Sequence, residues 1–409
     1  MEFSKKKLYF LAMVAALGGF LFGYDTAVIS GAEQQIQEVF SLSPALHGWV
    51  MSSALWGTVL GALFGGRITD RFGRKPTLSV IGVFYLISAV WSAFAAGPVS
   101  LTIARFLGGL AVGCSSTAAP VYIAEISPAE SRGKLTAIFQ LDVILGMCAS
   151  QFINLWIGTG EGAWRWMLGA EAVPAFLFAA LCPFLVESPR WLLERSAGKH
   201  LRKNKAESFW CRQNLRPILL AVAVAFFNQL SGVNAVIYFM KRIYMMAGFS
   251  DSVALTLVAM TGVMNAIGTM LGMWLIDRVG RKTLLIIGGT GYVVSLFACA
   301  IAFATNHGLI AAICVVLFLF SHTVGQGTVI WVIIAEVFPT SVRAEGQSVG
   351  GFTHWTFSAL ITLLFPIAAA KYSPSSIFVF FGVFMVLHLL WAIFIVPETK
   401  GKQLEDIKI

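Results

Sequence analysis

Charged residues are scarce in this chain of 409 residues: Asp, Glu, Lys and Arg make up 12% of it, whereas hydrophobic residues make up 57%. Soluble domains average about 25% charged and about 45–50% apolar residues. A single core stops growing beyond about 250–300 residues, so a core cannot hide this excess. The composition therefore excludes an ordinary soluble protein and favours one whose apolar side chains face lipid.

Cysteines are few, and their spacing indicates neither a disulfide framework nor a metal site. All of them except Cys211 lie in apolar stretches, where cysteine behaves as a small hydrophobic residue. The sequence also lacks a nucleophile motif and a phosphate-binding GxxxxGK segment. We therefore expect no enzyme activity, no metal and no cofactor, and any transport must be driven by gradients. The first apolar run, near Leu8, is too long for a cleavable signal peptide, so we expect a retained helix.

Acidic residues are outnumbered by basic ones, which gives a net charge of +9. This excess does not predict nucleic-acid binding, because the basic residues stand in short runs between apolar stretches. If these stretches are threaded through a membrane, most Lys and Arg residues of the connecting segments fall on one side. The exceptions are Arg165, Lys241, Arg242 and Lys371. By the positive-inside rule both termini are expected in the cytoplasm of a plasma-membrane protein.

Twelve apolar stretches are long enough to cross a bilayer, which takes about 20 helical residues. They lie near 8–30, 48–66, 76–96, 99–123, 135–157, 166–186, 217–244, 253–276, 283–304, 309–334, 350–369 and 377–396. Barrel strands would alternate apolar and polar residues, and these stretches do not. We expect an all-α membrane protein with 12 transmembrane helices and the lipid bilayer as its surroundings.

The second half of the chain repeats motifs of the first. DRFGRK at Asp70–Lys75 returns as DRVGRK at Asp277–Lys282. Other matched residues are Glu125 with Glu336, Pro128 with Pro339, Arg132 with Arg343, and Glu187 with Glu398. The nearly constant offset predicts duplication, with two pseudo-symmetric six-helix bundles at 1–193 and 217–409 and a short basic linker at 194–216. In parallel repeats of this kind the substrate is expected near the midplane, where the halves meet.

A series of segments, in this order, resembles the sugar porter family of the major facilitator superfamily. They are GGFLFGYDTAVISGA at Gly18–Ala32, GRITDRFGRK at Gly66–Lys75, PVYIAEISPAESRGK at Pro120–Lys134, VESPRWL at Val186–Leu192, NQLSGVNAVIYF at Asn228–Phe239, DRVGRK at Asp277–Lys282 and VPETKG at Val396–Gly401. The resemblance covers nearly the whole chain. It implies proton-coupled symport or facilitated diffusion of a hexose or pentose, and bacterial proton symporters for xylose, arabinose, glucose or galactose are the most similar in pattern. We expect a monomeric secondary transporter that imports the sugar by proton symport with alternating access.

Ionisable residues inside apolar stretches are costly and therefore mark functional sites. Asp25 and Arg105 lie at similar depths near the outer ends of the first and fourth stretches, so they are expected to pair. The resemblance points to the same two residues for proton coupling, and the alternative is a permanent structural ion pair. Asp142 has no obvious basic partner, and its role is open. Glu171 is expected to orient helices by hydrogen bonding, and the alternative is a direct role in proton transfer.

A sugar offers hydroxyl groups and apolar ring faces, which amides and aromatic rings can match. The seventh stretch carries amides and an aromatic residue around Gly232, where the helix is expected to break. The predicted sugar-binding residues are Phe22, Gln140, Asn228, Gln229, Asn234, Tyr238, Asn265, Trp331, His354 and Trp355. The resemblance itself implies sugar contact at Gln140, Gln229, Asn234, Asn265 and Trp331. The alternative for any one amide is an interhelical hydrogen bond.

Departures from the family pattern leave the identity of the sugar open. Asn228 replaces a common glutamine, and His354 replaces a common glutamine or asparagine. Met147 replaces a second glutamine of the fifth helix, and Thr328 replaces a proline. Ala344 replaces the glycine of the second RG motif. These departures affect the substrate and not the class of protein.

Charged residues at the predicted inner helix ends form two matched sets. The first is Arg71, Arg74, Glu125, Arg132 and Glu187, and the second is Arg278, Arg281, Glu336, Arg343 and Glu398. An ion-pair network present in one conformation only would bias a two-state equilibrium, so these residues are predicted to gate transport. The alternative is that they serve topology alone.

Two other functions fit the same fold. A facilitative uniporter would lack a carboxylate at the position of Asp25, and a sugar sensor usually carries a signalling tail, whereas this chain ends soon after its twelfth apolar stretch. Sodium coupling is a further alternative to proton coupling. A channel is disfavoured because no ring of like charges is visible.

Overall fold

The structure of the protein is a computed structural model that describes residues 4–128, 131–196, 209–339 and 342–400. These residues are almost entirely helical, and no strand occurs among them. They form two compact units, Met1–Lys205 and Ala206–Ile409. Most of the basic linker expected at 194–216 lies outside the described residues.

The first unit contains eight α-helices among its described residues. They are α1 (Lys5–Val39), α2 (Pro44–Phe72), α3 (Arg74–Ala93), α4 (Pro98–Ile126), α5 (Arg132–Ile157), α6 (Ala163–Ala170), α7 (Ala172–Leu181) and α8 (Pro189–Ser196). Helices α6 and α7 meet at Glu171 and, with a short 3₁₀ turn, make a single apolar segment, Ala163–Phe184.

The second unit contains nine α-helices in its described part. They are α9 (Leu215–Leu230), α10 (Val233–Tyr238), α11 (Met240–Met246), α12 (Asp251–Val279), α13 (Arg281–Ala304), α14 (Gly308–Val324), α15 (Gln326–Glu336), α16 (Arg343–Lys371) and α17 (Pro374–Phe394). Two of its apolar segments are interrupted helices: Arg212–Tyr238 holds α9 and α10, and Gly308–Glu336 holds α14 and α15.

The described residues include twelve helical segments long and apolar enough to cross a membrane, which confirms the predicted number. The first of them is longer than its apolar stretch suggests, because α1 continues past Ser30 to Val39. The polar residues of this extension have partners: the side-chain amide of Gln35 donates to the carbonyl oxygens of Thr159 and Gly160, at 3.2 Å each. Hydropathy alone misses a helix end stabilised in this way.

Glycines bring the long helices of the first unit close together. A methyl group at Gly23 of α1 would lie 1.9 Å from the carbonyl oxygen of Val143 in α5, and one at Gly146 of α5 would lie 1.9 Å from that of Phe20 in α1. Such contacts are possible only without side chains, and close packing of this kind holds helices together in membranes. The close contact of α1 with its neighbours also determines where Asp25 lies.

The sequence repeat is also a structural repeat. Gly73 joins α2 to α3 with φ 100°, and Gly280 joins α12 to α13 with φ 102°. Both values lie in the left-handed region that favours glycine. A methyl group at Gly73 would lie 2.3 Å from Glu187 Oε2, and one at Gly280 would lie 2.5 Å from Glu398 Oε2. Each unit therefore places a carboxylate against the same tight turn.

Candidate functional site

A buried ion pair lies inside the first unit, where the sequence predicts one. The guanidinium group of Arg105 in α4 pairs with the carboxylate of Asp25 in α1, and Nη2 of Arg105 also donates to the main-chain oxygen of Asp25 at 3.1 Å. Each residue is 2% exposed. Removing two charges from water is costly, so such a pair holds only where the geometry repays the desolvation.

Glu171 belongs to the same group, and the sequence did not indicate this. It lies at the junction of α6 and α7, is 2% exposed, and its carboxyl group is close enough to those of Asp25 and Arg105 to interact with both. One arginine balances the charge of only one of two carboxylates, so the group is neutral overall when one carboxyl binds a proton. Asp25, Arg105 and Glu171 therefore form a buried triad that is able to hold one exchangeable proton.

Asp142 in α5 is also buried, with 6% exposure. It forms no ion pair with any residue that the structure describes, which agrees with the lack of an evident basic partner in the sequence. Its place in transport stays open.

Four polar side chains meet at the end of α9 in the second unit. The amide nitrogen of Gln229 donates to Asn228 Oδ1 at 2.8 Å, and the amide nitrogen of Asn234 donates to Gln229 Oε1 at 2.6 Å. The same nitrogen of Gln229 lies 3.2 Å from each ring nitrogen of His354 in α16. All four residues are at most 9% exposed. We call Asn228, Gln229, Asn234 and His354 the amide cluster.

The break in the seventh apolar segment makes the amide cluster possible. Gly232 has φ 83°, and it separates α9 from α10 as the sequence predicts. At about 100° per residue, positions five apart would point in different directions on a straight helix. The break turns Asn234 back towards Gln229. Tyr238, the last residue of α10, is also buried.

Aromatic rings flank the amide cluster. The ring centres of Trp331 in α15 and Trp355 in α16 lie 4.9 Å and 4.8 Å from that of His354. Trp331 is 41% exposed, so the residues around it leave part of its side chain uncovered. Two buried polar atoms, Asn228 Nδ2 and Asn265 Oδ1, have no hydrogen-bond partner among the described residues. One is a donor and the other an acceptor, and a hydroxyl group can satisfy either.

Two of the predicted sugar-binding residues belong to the first unit. Phe22 of α1 is half-buried and packs against the apolar core of that unit. Gln140 of α5 is exposed. The remaining predicted residues are all in the second unit.

The charged residues at the α2–α3 turn of the first unit form defined contacts. Arg74 donates to both carboxylate oxygens of Glu125, with Nε and Nη2 each at 2.8 Å. Arg74 also lies 3.2 Å from a carboxylate oxygen of Asp70. The carboxylate of Glu187 accepts from the backbone amides of Arg74 and Ser188, at 2.9 Å and 2.8 Å. Among the described residues it therefore binds the turn itself and not a basic side chain.

The second unit repeats this arrangement with a difference. Arg281 Nη2 donates to Glu336 Oε1 at 3.0 Å, while the other carboxylate oxygen accepts from the hydroxyl of Thr399 at 2.5 Å. The carboxylate of Glu398 accepts from the backbone amides of Arg281, Lys282 and Lys400. Partial burial by itself would raise the pKa of Glu398, but these amide donors prevail and lower it below its usual range.

Four other arginines were predicted to belong to the charge networks. Three of them contact aromatic rings or carbonyl oxygens. Arg71 and Arg278 rest on aromatic rings, at 5.4 Å from Phe72 and 3.9 Å from Trp274. Arg132 donates to the carbonyl oxygen of Ala124 at 3.1 Å, so it binds a helix end. Arg343 begins α16. Arg74 and Arg281 form ion pairs with Glu125 and Glu336 of the same sets, whereas Arg71, Arg132 and Arg278 contact rings or carbonyl groups, as a planar guanidinium can.

Comparison with known proteins decides the family. A family model described as Sugar (and other) transporter matches residues 11–206 and 193–409. The chain belongs to this family. This transporter is 33% identical to the arabinose-proton symporter of Bacillus subtilis (strain 168), over 97% of the chain and 94% of that protein. It is 30% identical to the D-xylose-proton symporter of Escherichia coli (strain K12), over 100% of the chain and 96% of that protein.

The fold of this transporter matches solved structures of the same family. The structure of the xylose transporter XylE from E. coli in an inward-open conformation has a TM-score of 0.86 and 30% identity, and the match covers 98% of both chains. The predicted sugar porter family, the major facilitator fold with twelve spans and the class of secondary transporter are thereby confirmed. Membership of a transporter family also confirms that the protein is not an enzyme.

Proposed function

We propose that this transporter imports a monosaccharide, a hexose or a pentose, together with protons. The observation that carries the proposal is the amide cluster with its flanking tryptophans. Amide groups both donate and accept, as sugar hydroxyl groups do, and tryptophan rings pack on the apolar faces of a sugar ring. Relatives named as arabinose-proton and xylose-proton symporters support the same class of substrate.

Two unpaired buried polar atoms of the second unit favour a polyhydroxylated ligand. Asn228 Nδ2 and Asn265 Oδ1 are buried, and neither has a partner among the described residues. A buried polar atom without a partner costs about 1–3 kcal/mol. A ligand that supplies both an acceptor and a donor removes this cost, whereas an apolar ligand leaves it in place.

Coupling to protons is supported by the triad of Asp25, Arg105 and Glu171. An isolated carboxylate inside a membrane is expensive, and a pair of carboxyl groups beside one arginine changes its charge by taking up or losing a proton. A conformational change that alters the distance between Arg105 and Asp25 would change the affinity for that proton. A uniporter needs no such group, so the triad favours symport over facilitated diffusion.

We further propose that Arg74 with Glu125, and Arg281 with Glu336, help to gate transport at the cytoplasmic side, with the other residues of the two predicted sets around them. The DRxGRK repeats and the distribution of Lys and Arg support two related halves at 1–193 and 217–409, joined by the linker at 194–216, with both termini in the cytoplasm. Because one chain contains both copies of every motif, we expect a monomer to transport.

Uptake by proteoliposomes tests the proposal. The purified protein is reconstituted and supplied with labelled xylose, arabinose, glucose and galactose, with an inward proton gradient, with a sodium gradient, and with neither. We expect accumulation of at least one sugar with the proton gradient only. Equilibration without accumulation in every condition would instead indicate a uniporter, and no uptake of any sugar would contradict transport of these substrates.

A further inference from the structure

A second group of buried polar side chains lies in the Ala206–Ile409 unit, outside the residues assigned above to sugar binding. Its centre is Tyr292 of α13, which is fully buried. The hydroxyl of Tyr292 hydrogen-bonds Nδ1 of His322 and lies 3.4 Å from Oε1 of Gln326. The side chain of Ser231 lies close to the same hydroxyl. One phenol thus joins three polar residues.

These partners come from the two helix interruptions of the unit. Ser231 follows α9 at the break before α10, His322 is in the last turn of α14, and Gln326 is the first residue of α15. Among the described residues the hydroxyl of Tyr292 is the hydrogen-bond partner of the His322 ring, so this contact orients the ring.

The second ring nitrogen of His322 is directed away from this hydroxyl. Nε2 forms no hydrogen bond with any described residue, and a methyl group added to Gly327 would approach it to 3.0 Å. Whereas Tyr292 is fully buried, His322 is only half-buried. The absence of a side chain at Gly327 leaves the space in which Nε2 lies.

That space borders the amide cluster. Gly327 and Trp331 are four residues apart in α15, so they lie on the same face of the helix. The ring of Trp331 contacts that of His354, which in turn contacts Gln229. His322 is also close enough to His354 for a charge on one ring to affect the other. The imidazole of His322 therefore stands beside the residues that recognise the sugar.

We propose that His322 is a further sugar-contacting residue, which binds one substrate hydroxyl through Nε2, and that Tyr292 is the positioning residue that orients its ring. This inference rests on the proposed function and adds a specificity determinant to it. In a neutral imidazole one nitrogen donates and the other accepts. If the hydroxyl of Tyr292 donates to Nδ1, Nε2 carries the proton and donates to the sugar; if it donates to Gln326, Nε2 accepts. A hydroxyl group fits both arrangements.

The test is a binding experiment with deoxy sugars on the full-length protein in detergent. The sugar bound most tightly by the unaltered protein is compared with its monodeoxy analogues, each lacking one hydroxyl. In His322→Phe, affinity for the parent sugar should fall about tenfold, since a buried polar partner is lost. Affinity for one particular analogue, which lacks the hydroxyl that Nε2 contacts, should not change.

Tyr292→Phe removes only the hydroxyl that orients His322. It should reduce discrimination against the same analogue, and the double variant should bind as His322→Phe does, because Tyr292 acts through His322. His388→Phe is the matched control: His388 of α17 is a fully buried imidazole of the same unit, and neither ring nitrogen has a partner among the described residues.

The outcomes separate the two proposals. If the unaltered protein binds none of the sugars, the proposed function itself is contradicted. If the unaltered protein binds sugar but His322→Phe keeps its full discrimination, or loses affinity equally for the parent and all analogues, only the assignment of His322 is overturned. Additive losses in the double variant would remove the positioning role of Tyr292.

Discussion

Arg74 binds Glu125 through two hydrogen bonds of 2.8 Å, one to each carboxylate oxygen. The corresponding Arg281 binds Glu336 through a single bond of 3.0 Å, and its Nε has no partner among the described residues. The reason is Thr399, whose hydroxyl occupies the second oxygen of Glu336. The two copies of the motif thus bind their glutamates, Glu125 and Glu336, with different hydrogen-bond geometry.

This difference predicts unequal effects of lysine substitution. A lysine cannot reproduce a bidentate contact. Arg74→Lys should therefore lower the free energy of unfolding by about 1–3 kcal/mol, because bonds to charged groups in a buried pair are lost. Arg281→Lys should cost only about 0–1 kcal/mol, as for more exposed ion pairs. Chemical denaturation of the two variants in one detergent measures both; equal losses would show that the second bond contributes nothing.

Asp25→Asn should abolish the accumulation of sugar against its gradient while exchange across the membrane persists. An amide cannot take up and release the proton that the triad of Asp25, Arg105 and Glu171 holds, but it keeps the shape of the side chain. Gradient-driven uptake and sugar counterflow are measured in the same proteoliposomes, so that the counterflow controls for folding and reconstitution. Undiminished uptake in response to a proton gradient would exclude Asp25 from coupling.

Gln229→Ala should weaken sugar binding by about 1–3 kcal/mol, because Gln229 contacts three other members of the amide cluster and its loss leaves them without partners. Binding is measured in detergent without any gradient, which separates recognition from coupling. Gln35→Ala is the control, since Gln35 binds a loop of the first unit. Unchanged affinity in a folded Gln229→Ala protein would mean that the cluster serves structure only.

The lowered pKa of Glu398 predicts that the stability of the protein depends on pH. Its lowered pKa means that the folded state favours the carboxylate, so its contribution is present above the ordinary value of 4.5 and is lost as pH falls through the lowered folded value. Glu398→Gln should therefore be less stable than the unaltered protein at pH 7, and the difference should shrink below about pH 4. Thermal unfolding of both proteins in detergent, measured at about every half pH unit between pH 3.5 and 7.5, tests this. A difference that stays constant over the whole range would contradict it.

Much of the site was predictable from the sequence because it depends on position along a helix. Asp25 and Arg105 were expected to pair since helix rise places them at the same depth, and they do pair. The break at Gly232 was predictable because glycine adopts a positive φ without strain. In contrast, the contact between Glu171 and Asp25 was missed, since depth does not tell which face of α6 and α7 meets α1.

The sequence by itself determined the twelve membrane-spanning segments, the internal repeat and the class of protein. These features follow from composition, the length that a bilayer requires, and motifs that recur along the chain. Only the tertiary structure decided that Gln229 contacts His354 and that Tyr292 hydrogen-bonds His322. It also decided that Thr399 donates to one carboxylate oxygen of Glu336, which leaves the other oxygen for Arg281. These contacts join residues far apart in the chain, and they depend on helix rotation and on how closely the helices pack. Neither quantity follows from hydropathy or periodicity, because many rotations of one apolar helix expose equally apolar surfaces to lipid.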